Sequence, residues 1–563
     1  MLATLLGCLQ SPEVLPASDT SSTDETSSGV DSGQATAPDP PPGVLLIVLD
    51  DLGYGDTSLS ALSTAIQEHV PDWEPDIQTP SLEAFSTEGV SLTRFRTDAP
   101  VCAPTRAALM TGLSPHSAGF WSAHTFYFGA EYQLGLRPGL VLLPEVLSDA
   151  GVSTSMVGKW HLGFHTEAWD PTGGEAGCLA PDTPDARGFE RVFGFLSSTH
   201  DYSIGVDCGE LVEGGAGQAL SSLAADGGCP HVGEHTTELF TERALAELNT
   251  LQSAGEPWFL YVAYNAPHTP VDSGAAWIRA AASSDHPDAA RYTEMIEACE
   301  ELSNRNSELT GRDYCLLVSH LDLHLGRLLD AAPEHALVIV MSDNGGLESV
   351  GASNAHFRDN KGSVFNGGMV VPMLARGPEL PAGIVLDTSI TSAELFPTIL
   401  DFIGVAAPEA QHVSDFPESC EALEPVEVLP LVATSRLEAL QGKTSSSRVE
   451  LFLENSGQVA LLWQDEESSG GWKLVADLLN TTAGVELPYC SPSWELYDQH
   501  HDPEELSDVF ETEPARAQEM LDAVAERLVG LPYIHDDIQW HVCCFEAGMS
   551  ACTETCGECM TSE

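Results

Sequence analysis

The chain predicts an α/β fold, with a mixed, mostly parallel sheet between helices and a smaller C-terminal α+β domain. Three observations lead there. Residues 44–49 and 336–341 form unbroken apolar runs, Val-Leu-Leu-Ile-Val-Leu and Ala-Leu-Val-Ile-Val-Met. Such runs fit strands buried on both faces of a helix-covered parallel sheet. Each run ends in oxygen-bearing side chains, Asp50-Asp51 and Asp343-Asn344, at the strand end where open α/β sheets place their ligands. From about residue 437 the texture changes to short strand-like pieces at 449–453, 459–463 and 472–478, then an amphipathic helix at 514–528, an α+β pattern. The expected divisions are 1–43, 44–436, 437–541 and 542–563, and no internal repeat is present.

Taken in order, residues 1–10 are apolar and contain Leu5-Leu6-Gly7-Cys8. This resembles a bacterial lipobox, whose cysteine is lipidated after cleavage; the other reading is a short disordered tail. Residues 11–43 are rich in Ser, Thr, Asp, Gly and Pro and cannot bury enough apolar surface to fold, so they read as a tether. After the first strand, a single aspartate would serve as a turn or helix cap. Two adjacent ones closing a buried strand call for a cation or water. Together Asp50, Asp51, Asp343 and Asn344 form a hard-oxygen donor set, suited to calcium or magnesium rather than zinc or copper.

Residues 98–112 read as a loop entering a helix, with Pro104 in the first turn and Gly112 at the end. Cys102 then lies at a helix N-terminus, where an anion is favoured, and Arg106 one turn on can point back at the same spot. A helix at 142–150 and a strand at 152–157 precede Gly158-Lys159-Trp160-His161-Leu162-Gly163. In extended chain Lys159 and His161 share a face and could bind an anion or move a proton. A strand at 258–264 leads to His268, held in a loop between Pro267 and Pro270, and Lys361 follows the second Asp-bearing strand. The chain has only four lysines, Lys159, Lys361, Lys443 and Lys473, so two within motifs point to function.

The 22 Lys+Arg against 85 Asp+Glu give a formal net charge of −63. Such a surface repels nucleic acid and anionic membranes, which excludes those partners, and it suits a salty medium. Apart from Cys8 and Cys102, twelve of the fourteen cysteines remain, an even number compatible with disulfides in an exported protein. The tail cysteines Cys543, Cys544, Cys552, Cys556 and Cys559 lack good histidine spacing for a zinc knuckle and read as disulfide-forming. No run after the N-terminus is long and apolar enough to span a bilayer.

In this order along roughly residues 44–510, the Asp-Asp strand end and several further motifs resemble the formylglycine-dependent sulfatases. The motifs are Cys-Ala-Pro-Thr-Arg, Gly-Lys-Trp-His-Leu-Gly, Ala-Pro-His-Thr-Pro, Ser-Asp-Asn-Gly-Gly, Lys361-Gly362, and Glu-Leu-Tyr-Asp with Asp-Pro-Glu-Glu. Cys-x-Pro-Thr-Arg is similar to the signature whose cysteine is converted to formylglycine, with Thr105 in place of the commoner serine. Segments 156–164, 198–202 and 346–354 are most similar to the arylsulfatase B (N-acetylgalactosamine-4-sulfatase) branch. The family usually has Glu and Arg where this chain has Asn366 and Val370, which puts substrate preference or local stability in question more than chemistry.

The resemblance implies an alkaline-phosphatase-like fold and hydrolysis of aryl or carbohydrate sulfate esters, N-acetylgalactosamine 4-sulfate among them. It implies one Ca2+ held by Asp50, Asp51, Asp343, Asn344 and residue 102, and a formylglycine-generating enzyme as maturation partner. By the same resemblance the formylglycine hydrate at 102 is the nucleophile, Arg106 and Lys159 clamp diol and sulfate, and His161 bonds the second hydroxyl. His268 and Lys361 would face the leaving oxygen, and Ser198 or Thr199 would touch the sulfate. Location is expected to be periplasmic, outer-membrane-anchored or extracellular. Two other readings fit the residues: a phosphatase or phosphonate monoester hydrolase of the same superfold, and a surface-anchored binding protein in which Cys102 is never converted.

Overall fold

The computed structural model describes residues 40–120, 136–137, 139–163, 182–206, 208–215, 218–223, 228–302, 308–413, 427–431, 433–443, 450–455, 458–463, 471–477 and 493–529. The lipobox-like Cys8, the tether up to residue 39 and the Cys-rich tail at 542–563 lie outside these residues. The compact unit begins at Pro41.

The large sheet contains β1 (Gly43–Leu49), β2 (Val90–Leu92), β3 (Ser153–Lys159), β4 (Arg191–Phe195), β5 (Leu211–Gly215), β6 (Gln218–Ser222), β7 (Trp258–Ala263), β8 (Ala336–Ser342), β9 (Met373–Arg376) and β10 (Ile384–Leu386). Their order across the sheet is β10-β2-β9-β8-β1-β7-β3-β4-β5-β6. The centre, β8-β1-β7-β3-β4, is parallel throughout, while β9 joins β8 and β5 joins β4 antiparallel. Strand β1 explains its own lack of alternation. Leu45, Ile47 and Leu49 belong to one apolar core, and Val44, Leu46 and Val48 to the other on the opposite face, so no position is left for a polar residue.

The helices that position the site are α1 (Cys102–Thr111), α2 (Leu143–Asp149), α3 (Thr236–Ala254), α4 (Val271–Ala282), α5 (Ala289–Glu300), α6 (Glu308–Ala331) and α7 (Leu395–Ile403). Buried residues of α1, α2 and α7 enter one core, and those of α3 to α6 enter the other, which makes a three-layer sandwich. Disulfides join Cys208 to Cys229 and, between α5 and α6, Cys299 to Cys315.

A second, antiparallel sheet is made of β11 (Glu450–Asn455), β12 (Gln458–Trp463), β13 (Trp472–Asp477) and β14 (Ser493–Asp498) in chain order. Helix α8 (Pro514–Val529) packs on one face through Ala517, Met520, Leu521 and Val524. The other face sets Ala460, Leu462, Val475 and Tyr497 against Val364, Phe365 and Met369, the segment just after Lys361. Residues Ala439 and Leu440, beyond the expected boundary at 437, sit in the core of the large sheet, and the small sheet itself starts at Glu450.

Candidate active site

The site forms where the parallel strands end. Strands β1 and β8 run side by side with Leu49 opposite Ser342, so the acids that follow them meet. The Asp343 amide donates to the Leu49 carbonyl at 3.0 Å, the Asp51 amide to Asp343 Oδ1 at 3.3 Å, and Asn344 Nδ2 to Asp51 Oδ1 at 2.7 Å. Successive residues of an extended chain point apart. Asp51 instead has φ 68°, a left-handed conformation that Asp tolerates better than most residues, and both carboxylates turn into one site.

Strand β3 delivers Lys159, whose Nζ donates to Asp50 Oδ2 at 2.6 Å. The residue before it must be glycine: Gly158 has φ 106°, and a Cβ there would lie 1.9 Å from the Ala263 carbonyl oxygen. Extended chain does not pair Lys159 with His161, contrary to the expectation from their spacing. The strand ends at Lys159 and His161 has φ 58°, so the two share no strand face. His161 is nonetheless buried among the same charges. Burial, then Lys159 and Arg106, hold its pKa well below the usual range, so it is a neutral imidazole.

Cys102 is the first residue of α1 and is 2% exposed. Its Sγ and carboxylate oxygens of Asp50 and Asp343 lie within 4.8 Å of one another. Burial raises its thiol pKa against the pull of Lys159 and Lys361; as encoded, this thiol occupies the place of the expected aldehyde. Thr105 supports it, because its Oγ1 donates to the Ala99 carbonyl at 2.8 Å. Gly112 closes α1 at φ 67°, as a left-handed cap requires.

Arg106 is tied to the second strand end. Its Nε and Nη2 donate to Asp343 Oδ2 at 2.9 and 2.7 Å, and Nη1 faces the Lys159 carbonyl at 3.1 Å and Tyr261 Oη at 3.2 Å. Lys361 Nζ donates to Asp51 Oδ1 at 2.6 Å, and the next amide, of Gly362, donates to the Pro100 carbonyl at 2.9 Å, which ties its loop to that of Cys102. His268 Nδ1 donates to the Thr269 carbonyl at 2.7 Å, leaving Nε2 3.7 Å from Asp51 Oδ2. Burial lowers its pKa against Asp51 and Asp50. Ser198 is half-buried on the loop after β4, and among the described residues it makes no hydrogen bond to this network.

The formal charges of the site balance, yet not every oxygen is satisfied. Asp50, Asp51 and Asp343 face Lys159, Lys361 and Arg106. Burial works to raise the Asp50 pKa, but Lys159, His268 and Arg106 hold it well below the carboxylate range. Asp343 goes the other way, raised by burial and by Asp50. Three buried oxygens, Asp50 Oδ1, Asp51 Oδ2 and Asn344 Oδ1, have no hydrogen-bond partner. Orphaned buried carboxylate oxygens are costly, and a hard cation among them removes that cost. The donor set therefore fits a divalent cation. Sequence reasoning missed Tyr261, a hydroxyl inside an apolar run, and Tyr202, whose hydroxyl sits 2.9 Å from the Asn265 carbonyl and 2.7 Å from that of His268, bracing the His268 loop.

Comparison with known proteins agrees with this geometry. Residues 42–405 match the family model described as Sulfatase. The chain is 27% identical over 453 residues to the N-acetylgalactosamine-6-sulfatase of Sus scrofa, covering 77% of this chain and 72% of the relative. Among solved structures, Ps i-CgsB in complex with k-i-k-neocarrahexaose superposes with TM-score 0.60 at 22% identity, over 86% of this chain and 92% of that one. BT4656 in complex with D-glucosamine-2-N,6-O-disulfate gives TM-score 0.54 at 16% identity, over 88% and 99%. These two share the fold, an alkaline-phosphatase-like one. The relative named is a 6-sulfatase, so the comparison supports the family and does not specify the arylsulfatase B branch. The chain thus belongs to the sulfatase family, whose members are sulfuric ester hydrolases.

Proposed function

We propose that this chain hydrolyses carbohydrate sulfate esters, N-acetylgalactosamine sulfates foremost, at a formylglycine made from Cys102 and with one divalent cation, Ca2+. The carrying observation is the set of three partnerless buried oxygens beside Cys102, ringed by Arg106, Lys159 and Lys361. A relative named N-acetylgalactosamine-6-sulfatase and neighbours in complex with D-glucosamine-2-N,6-O-disulfate and k-i-k-neocarrahexaose support the substrate class.

Asp50, Asp51, Asp343 and Asn344 would hold the cation, which supplies Lewis-acid stabilisation of negative charge on sulfate oxygens. A formylglycine at position 102, as its hydrate, would supply a hydroxyl nucleophile and a second hydroxyl for sulfate release. Lys159 and Arg106 fix the acids and present positive charge to the incoming anion. His161, neutral, hydrogen-bonds rather than adding charge. Burial opposes the charge on Lys361, but Asp51 outweighs it and keeps the pKa above the ordinary lysine range. Lys361 therefore stays protonated and would face the leaving oxygen as a fixed positive charge. His268, its Nδ1–H fixed on the Thr269 carbonyl, offers the Nε2 lone pair as a proton acceptor. Ser198, half-buried on the loop after β4, would contact the substrate.

The same reading places the enzyme outside the cytoplasm: periplasmic, outer-membrane-anchored through Cys8, or extracellular. Disulfides Cys208–Cys229 and Cys299–Cys315 support it, and no described helix is long and apolar enough to cross a membrane. Because Cys102 is buried, a formylglycine-generating enzyme must reach it before the chain is fully folded. The test is a comparison of initial rates on an aryl sulfate and the matching aryl phosphate, then on 4- and 6-sulfated N-acetylgalactosamine. Sulfate turnover that a chelator abolishes and Ca2+ restores is expected. Phosphate turnover equal to or faster than sulfate would contradict the reading.

A further inference from the structure

A second cluster of metal-type ligands lies in the helical layer, apart from the strand ends. Helix α6 carries His320 and His324, four residues apart and so on one helix face. Opposite them, Glu238 stands in the first turn of α3. The Nε2 atoms of His320 and His324 both lie 3.6 Å from Glu238 Oε1, and the three ligand atoms fall within 4.8 Å of one another.

Four side chains, Tyr292, His286, His320 and His324, converge on that one oxygen. Tyr292 donates its hydroxyl to Glu238 Oε1. His286 takes the Asp288 amide at Nδ1 (3.1 Å), so its proton is on Nε2, which points at the same oxygen from 3.4 Å. Two donors satisfy the two lone pairs of one carboxylate oxygen. His324 Nε2 has a second partner, the Tyr292 hydroxyl at 3.5 Å, which leaves His320 as the ring with no acceptor of its own. His320 is fully buried, and neither of its ring nitrogens makes a hydrogen bond. Rings of His235, Trp277 and Tyr292 surround it, with centroids 4.4, 6.1 and 5.3 Å away, a dry shell of the kind that encloses metal sites. Arg327 Nη1 approaches His324 Nδ1 at 3.4 Å. Its side chain is 40% exposed and paired to Glu242, so it can withdraw when that nitrogen carries the proton that Nε2 ligation requires.

We infer that Glu238, His320 and His324 bind a first-row transition ion, Zn2+ by donor type, with His286 and Tyr292 as hydrogen-bonding outer partners of the carboxylate. Two imidazoles and one carboxylate suit zinc and disfavour calcium, so this site and the oxygen-only active site select different metals. Its role is structural. It pins the first turn of α3 to α6, next to His235, which caps α3 and packs its ring 5.3 Å from that of Tyr202, the residue bracing the His268 loop.

The test uses the full chain, loaded with Zn2+ and dialysed, with metal content measured beside Glu238→Gln and His320→Asn. Wild type is expected to retain about one equivalent of zinc more than either variant, and Zn2+ to raise the melting temperature of wild type only. Equal zinc in all three chains, or no zinc-dependent shift in wild type, overturns the inference. Should the variants fail to fold, zinc-edge X-ray absorption on wild type decides it. Two imidazoles with oxygen ligands are expected. A sulfur shell, which would place zinc on the C-terminal cysteines, or an all-oxygen shell overturns it.

Discussion

Arg106 commits its nitrogens to the site's framework, bridging Asp343, the Lys159 carbonyl and Tyr261. A lysine there would keep the charge but lose the planar fork. With hydrogen bonds to charged groups contributing about 1.5–3 kcal/mol each, Arg106→Lys is expected to lower kcat/KM by roughly two to four orders of magnitude, since two such bonds to Asp343 go at once. Steady-state kinetics on an aryl sulfate check this, and a loss under about tenfold would contradict the role assigned. Arg106 was legible from its spacing to Cys102, but its partner was not, because Asp343 lies 237 residues away. His161 was legible as a site residue and its orientation was not. That depends on left-handed backbone at His161 and on Gly158, which no pattern of alternation records.

At the scale of elements, the strand ends were readable because an unbroken apolar run both predicts a buried parallel strand and marks where its ligand end must be. The docking of the small sheet was not readable. It depends on Lys473, whose Nζ reaches Glu505 Oε1 at 2.6 Å and Asn366 Oδ1 at 3.0 Å, the latter 107 residues away. Asn366, which departs from the family's usual Glu, also donates Nδ2 to Gln499 Oε1 and to the Pro503 carbonyl, both at 2.8 Å. A glutamate there would add a second carboxylate beside Glu505, whereas the amide both accepts and donates. This buried knot holds the segment that follows Lys361. Burial lowers the Lys473 pKa to about 8, so the pair with Glu505 keeps it charged at neutral pH. Lys473→Met, which strands Glu505 as an unpaired buried charge, is expected to cost about 3–5 kcal/mol by denaturant unfolding. A change under about 1 kcal/mol would show that Glu505 finds other partners. Sequence reasoning passed over the histidine cluster: His320 and His324 are four apart on one helix, but Glu238 and Tyr292 arrive from other helices.

For the whole molecule, a formal charge of −63 opposes the approach of a polysulfated substrate, although the site itself gathers Arg106, Lys159 and Lys361. Screening shortens the reach of that repulsion to about 10 Å at 0.1 M salt. Turnover of a sulfated oligosaccharide is therefore expected to rise with salt from low ionic strength before levelling, while a small aryl sulfate with a single negative charge responds much less. A steady fall from the lowest salt would contradict the acidic-surface argument. Composition made this charge plain, and it said nothing of the local balance, in which Arg106, Lys159 and Lys361 offset Asp50, Asp51 and Asp343 where the sheet gathers distant residues. The central claim is that residue 102 is the nucleophile in aldehyde form, and the mass of the tryptic peptide from Thr97 to Arg106, taken from natively produced and sulfate-hydrolysing protein, tests it most directly. An aldehyde at position 102 is the expected result; an intact thiol in an active preparation would contradict the account.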